Sequence, residues 1–217
     1  MADPVHLHGY RYSVYTRIAR LVLLSKTVEH RTIEVDPFAE LPESFLRLHP
    51  FGRVPVLIHG AFELFETGAI TRYVDRAFEG RPLQPESPAA LARMDQVISA
   101  IDSYGYRPMV RQVSSHGFFR PFFGEPSSRE EIESGLEESG KLLSFLDAVA
   151  GEEIVLGGRD LSLADLHLAP MMDYFVRTEE GKAALSAHSA LQAWWDRVSA
   201  MDALRATDPF AVQSCSS

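Results

Sequence analysis

The chain has 217 residues, 46% of them hydrophobic and 24% charged, enough apolar material for one large domain or two small ones. A formal net charge of -9 argues against nucleic acid or an anionic membrane surface as the main partner. The single cysteine, Cys215 in a polar tail, excludes an intrachain disulfide framework, a CxxC redox motif and a multi-cysteine zinc site.

Met1-Ala2-Asp3-Pro4 shows no basic region leading into an apolar core, and no apolar run approaches ~20 residues. The expectation is a soluble cytoplasmic protein with neither signal peptide nor membrane span. Val5 to His8 alternates and meets Gly9, which predicts a short first strand. His6 and His8 share a strand face, a spacing that can bind metal, but no third ligand is evident, so no metal is expected. From Ser13 the period changes: Val14, Ile18, Leu21 and Val22 fall on one helical face, with Ser13 placed to cap it. Arg31 to Val35 reads as a second strand, and Pro42 can begin a short helix carrying Phe45, Leu46 and Leu48.

His49 to Thr67 (HPFGRVPVLIHGAFELFET) is the most informative stretch. It predicts a turn, a strand entered through Pro55, a turn at His59-Gly60, and an alternating strand over Phe62 to Phe65. Ile70, Tyr73, Val74, Ala77 and Phe78 continue at helical spacing, which puts Glu66-Thr67 at a helix start, where amides lack intrahelical partners. The first 80 residues thus form a small α/β unit with a mixed sheet.

Three prolines over 81–88 predict a linker. Beyond it the pattern is helical. Leu91, Met94, Ile98, Ile101 and Tyr104 recur every three or four residues, with a bend or break expected at Gly105 and Pro108. His116 to Gly124 reads as an aromatic loop, and Ser128 to Glu131 as a capping box. Ser162 to Asp165 looks like a second such box, with a kink or early stop at Pro170. Leu191, Trp194, Trp195 and Val198 form a last helical face, and periodicity ends near Thr207.

These motifs in this order resemble the cytosolic glutathione transferases. HPFGRVPVL followed by LFETGAITRYV is similar to the family's NPxGxxPxL followed by LxESxAIxxYL. LSLADLHLAP resembles its marked helix start in the second half. SVYTRIARL resembles the active-site segment of the serine-type classes, theta, delta, phi and tau. Three positions depart from the pattern: His49 replaces a frequent Asn, Thr67 replaces the usual Ser, and Val14 stands where Pro often follows the catalytic Ser.

The resemblance implies a thioredoxin-like α/β domain with a mixed four-stranded sheet over residues 1–80, a linker over 81–88, and an all-α helical domain over 89–217. It implies glutathione as co-substrate, no resident cofactor, a small hydrophobic electrophile as second substrate, and a homodimer, with detoxification as the role. Pro55 would be cis and turn the Val54 backbone toward the cysteinyl part of glutathione, in the manner of strand addition. Glu66 would hold the α-ammonium of the γ-glutamyl group, Thr67 its carboxylate, and Arg53 the glycyl carboxylate. Ser13 would donate its hydroxyl to the sulfur and favour the thiolate, with Tyr12 the first competitor and Tyr10 a weaker one. Tyr10, Tyr104, Tyr106, Met109 and Phe118 are the electrophile-pocket candidates, against a simple reading of each as core. Asp165 is read as a capping and folding residue. Two alternatives stay open: peroxide reduction at the same site, and a non-catalytic binding or regulatory protein of the same fold.

Overall fold

The computed structural model describes residues 3–211, so Cys215 and the polar tail lie outside the described residues. The chain divides into two units, one of Met1–Pro82 with the segment from Met201 onward, the other Leu83–Ala200.

In the first unit, β1 (Val5–Gly9), α1 (Val14–Ser25) and β2 (Arg31–Glu34) form a parallel β-α-β unit. α2 (Glu43–Leu48) leads to the antiparallel pair β3 (Val56–His59) and β4 (Phe62–Phe65), and α3 (Thr67–Ala77) follows. The sheet order is β2-β1-β3-β4, the mixed four-stranded sheet expected. Leu7, Leu57 and Leu64 stand opposite one another across three strands. Leu7 and Leu57 are fully buried, as are Ile18, Leu21 and Val22 of α1 and Ile70 and Val74 of α3. α1 and α3 pack together. Period-two alternation sends His8 the other way, where its ring meets Phe45 of α2 at 6.2 Å.

A polar clamp closes the far end of this unit. Lys26, just past α1, extends Nζ to the Asp75 carboxylate at 3.1 Å and to the Asp75 and Arg81 carbonyls at 3.1 and 3.2 Å. Both side chains are almost wholly buried. Removing either would strand a buried charge, at a cost of about 3–5 kcal/mol.

The second unit is helical: α4 (Pro88–Tyr104), a π-helix (Tyr106–Phe119), α5 (Arg120–Phe122), α6 (Arg129–Glu152), α7 (Leu163–Phe175), α8 (Glu179–Ser186) and α9 (Ser189–Val198). Pro88 is the first residue of α4, so the expected linker ends one residue early. Three expectations need correction. Residues 116–122 are not a loop: the helix widens at Gly105 and runs on through Phe119 and Phe122. Of the two outcomes expected at Pro170, the early stop does not occur: α7 continues to Phe175 with every residue but Asp173 buried. Residues 201–211 belong to the first unit, where α10 (Asp202–Ala206) packs on α1.

The second capping box forms in full. The Ser162 hydroxyl accepts from the Ala164 and Asp165 amides, and the Asp165 carboxylate accepts from the Ser162 amide at 2.6 Å. Asp165 also accepts from Trp194 Nε1 at 2.8 Å and the Gly157 amide at 3.4 Å. Burial pushes its carboxyl up from the usual range, and the hydrogen bonds pull it back.

Candidate functional site

Strand register brings the expected site residues to one end of the sheet. Val56 opens β3, with His8 opposite on one side and Phe65 on the other. At this end β1 runs out through Gly9 toward Ser13, β4 runs out through Phe65 toward Glu66, and Val54-Pro55 enters β3. The start of α1, the Val54 backbone and the start of α3 therefore share one edge.

The β1–α1 turn is tightly fitted. A Cβ on Gly9 would lie 2.3 Å from Thr16 Cγ2, so glycine is required for this close approach. Thr16 Oγ1 accepts from the Tyr10 amide at 3.3 Å, and the Ser13 amide donates to the Tyr10 carbonyl at 2.9 Å. Ser13 caps α1: its Oγ accepts from the Thr16 amide at 3.2 Å. The oxygen thus serves the helix, and the hydroxyl proton remains available to donate outward. α1 carries no acid in its first turn, so the positive end of its dipole is not neutralised there.

Tyr12 and Tyr10, the other candidate donors, belong to an aromatic group. Their rings meet edge to face at 5.6 Å; Tyr10 also meets Phe38 at 5.9 Å, and Tyr12 meets Phe210 at 5.3 Å. Arg11 lies 5.1 Å above the Tyr12 ring. Burial, then Asp36, Tyr12 and Glu34, push the Tyr10 phenol up, with Arg11 opposing. The phenol therefore stays neutral at physiological pH.

The Val54–Pro55 peptide is cis, as expected. Ladder pairing begins at Val56, so the half-buried Val54 stands outside the ladder with its polar backbone groups at the sheet's end. Arg53 is exposed beside it. Glu66 precedes α3 with φ +70°, a conformation that costs a non-glycine residue about 1–3 kcal/mol. Its carbonyl accepts from the Ala69 and Ile70 amides, while those of Thr67 and Gly68 have no intrahelical acceptor. Glu66 is exposed, Thr67 buried, and α3 also lacks an acid in its first turn. Two helix starts and one exposed carboxylate thus meet at one edge. That edge can hold an anion at a helix start, an ammonium on Glu66 and an extended backbone at Val54.

The remaining pocket candidates differ in surroundings. Met109 is fully buried. Tyr104 is 68% exposed at the end of α4, in a groove with Leu142 and Phe145 of α6. Tyr106 is half-buried at the start of the π-helix. Phe118 stacks on Phe122 at 5.8 Å beneath the Arg177 guanidinium. Sequence reasoning missed the burial of His49, which is 3% exposed against Phe65. Its place before Pro50 was legible; its packing against a strand 16 residues away was not.

Among the described residues, no group of three or more His, Cys, Asp or Glu is arranged to hold a metal, and no helix is long and apolar enough to cross a membrane. A family profile described as the N-terminal domain of glutathione S-transferase matches residues 7–82, and one described as its C-terminal domain matches 110–202. Glutathione S-transferase F13 of Arabidopsis thaliana is 29% identical, over 94% of each chain. Glutathione S-transferase 3 of Zea mays is 27% identical, over 94% of this chain and 93% of its own. Among solved structures, an apo glutathione S-transferase III superposes with a TM-score of 0.81 at 27% identity, covering 94% of this chain and 95% of the other. Glutathione transferase F7 of Populus trichocarpa gives 0.80 at 26% identity, covering 94% and 97%.

Proposed function

Since the chain belongs to the glutathione S-transferase family, we propose that it joins the glutathione thiolate to small hydrophobic electrophiles, with Ser13 as the thiol-activating donor. One observation carries the reading: the Ser13 cap, the unladdered Val54 and the Glu66-Thr67 helix start converge on one edge of the sheet. Glutathione lies along that edge. Its cysteinyl backbone pairs with Val54, its α-ammonium with Glu66, and its γ-glutamyl carboxylate with the hydroxyl and amide of Thr67. Arg53 reaches the glycyl carboxylate. Ser13 donates its hydroxyl proton to the sulfur, and the start of α1 adds a positive field, so the charged form is favoured.

The thiol first releases its proton to water; the thiolate then attacks the electrophilic carbon, a C–S bond forms, and the leaving group departs with its electron pair, whereas in an addition nothing leaves and the adjacent carbon takes a proton from water. Ser13 keeps its proton throughout and acts by hydrogen bonding. Tyr10 with Phe38 and Tyr12 supplies an aromatic wall next to Ser13, which supports an apolar second substrate. Family membership supports a homodimer in the cytoplasm with a detoxifying role; light scattering tests the dimer.

The function is tested by incubating purified protein with glutathione and a panel of electrophiles led by an aryl halide. Saturable conjugation is expected. Glutathione binding without turnover across the panel would leave a binding protein, and the enzymatic reading would fail.

A further inference from the structure

His49 ends α2 and opens the turn that leads to Val54 and Pro55. Its ring lies 4.6 Å from that of Phe65 and edge to face with Phe51 at 6.1 Å. Its Nδ1 is sealed from water and has no hydrogen-bond partner beyond its own residue's main chain. A buried ring nitrogen without a partner costs stability, so its presence beside a functional edge calls for a reason. The neighbour supplies one. Phe65 is the last residue of β4, and Glu66 follows it directly, so the imidazole leans on the strand end that presents the carboxylate.

Two charges act on the ring. Burial, the largest influence, holds the imidazole below its ordinary value; Glu66 pulls it up, Arg53 pushes it down, and its own main chain pulls it up slightly. The other charged groups nearby are engaged elsewhere or lie in water. Glu43 and Arg47, on its own helix, pair with each other at the surface. Glu63, two positions before Phe65, is exposed. Arg72 of α3 donates to the Gly68 carbonyl at 2.8 Å, and His8 meets α2 at Phe45.

We propose that His49 is a positioning residue that makes the hold on the γ-glutamyl end depend on pH. Neutral, it packs Phe65 and leaves Glu66 to the ligand's ammonium; on gaining a proton, it becomes a second cation competing for the same carboxylate. The inference rests on the glutathione site proposed above. Two cations that share one carboxylate oppose each other by the same factor in both directions. The sign follows from burial: protonation sets in below the ordinary histidine value of about 6.5, so affinity is full near pH 7.5 and falls toward pH 5.

The test uses S-methylglutathione, whose blocked sulfur removes thiol ionisation from the measurement. Its dissociation constant is measured calorimetrically on the full chain from about pH 7.5 to about pH 5, for the natural protein and for His49→Asn and His49→Gln. The natural protein should bind roughly threefold more weakly at the acid end, the scale of one partly exposed ion pair, and both variants should show a flatter profile. In the natural protein, the His49 ring resonance should titrate at lower pH when S-methylglutathione saturates the site. Parallel profiles in all three proteins, or a ring titration that the ligand leaves unmoved, would overturn the proposal while the glutathione site stands. Absence of binding at about pH 7.5 would overturn both.

Discussion

Replacing Ser13 with Ala removes two things that can be measured apart. One is the helix cap: Oγ accepts from the Thr16 amide at 3.2 Å, and its loss costs about 1 kcal/mol, or roughly 2–4 °C in Tm. The other is the donor to sulfur. A hydrogen bond to a charged group is worth about 1.5–3 kcal/mol, which is about one to two pKa units on the bound thiol. A thiol of ordinary pKa is about 3% ionised at pH 7, and one held two units lower is about 75% ionised. Deleting the hydroxyl should therefore return the ionised fraction at pH 7 to about 3–20%, a loss of roughly 4- to 25-fold. The rate falls by less, because a thiolate of higher pKa is intrinsically more nucleophilic, by about 2.5- to 10-fold over that range. The decisive assay is thus the ultraviolet titration of the enzyme-bound thiolate, with the pH–rate profile beside it. Both inflections should move up by about one to two units, and the deficit should shrink as pH rises past them. Ser13→Gly separates the two roles, since glycine costs a cap only a few tenths of a kcal/mol yet also lacks the hydroxyl. Ala and Gly should give the same thiol shift with different Tm values. A thiol pKa unmoved in both variants would show that Ser13 is not the donor; if Tyr12→Phe moves it instead, the phenol is.

Glu66→Gly relieves a positive φ at the start of α3. With glycine's own entropic cost subtracted, thermal unfolding should rise by about 2–4 °C while KM for glutathione increases several-fold. A lower Tm together with an unchanged KM would show that neither strain nor ammonium binding resides there. Asp165→Ala strands three buried donors, the amides of Ser162 and Gly157 and the Trp194 indole. At upward of about 1 kcal/mol for each stranded donor, it should cost about 3–5 kcal/mol and lower Tm by about 6–20 °C, with the thiol pKa of any folded fraction unchanged. A shifted thiol pKa in that fraction would give Asp165 a part in the chemistry.

What was legible in the sequence was local. Ser13 and Ser162 announce their caps because capping is decided within four residues, and β1 and β4 announce themselves through alternation. What was not legible depends on distant packing. Gly105 and Pro108 looked like breakers, yet the helix widens instead of ending. A Cβ on Gly105 would meet Leu142 and Met171, and one on Gly135 would meet the Pro108 carbonyl at 2.7 Å, so glycines on two helices let α6 and the π-helix approach closely. Pro170 forfeits a hydrogen bond but sits in a helix buried nearly all round, where apolar burial outweighs that loss. α10 carries too few residues for its period to reveal that it packs on α1. At the site, residue types were readable from motif and spacing. The Glu66 φ and the burial of His49 were not, because both are set by how α2 and α3 meet the sheet.

In the proposed complex, one end of this sheet holds glutathione and Ser13 faces its sulfur. A crystal structure of the glutathione complex tests it most directly. In that complex the cysteinyl backbone should lie on Val54, the α-ammonium on Glu66, the γ-glutamyl carboxylate at Thr67, and the sulfur within hydrogen-bonding reach of Ser13 Oγ. A sulfur held by the Tyr12 or Tyr10 phenol, or a tripeptide bound away from this edge, would contradict it.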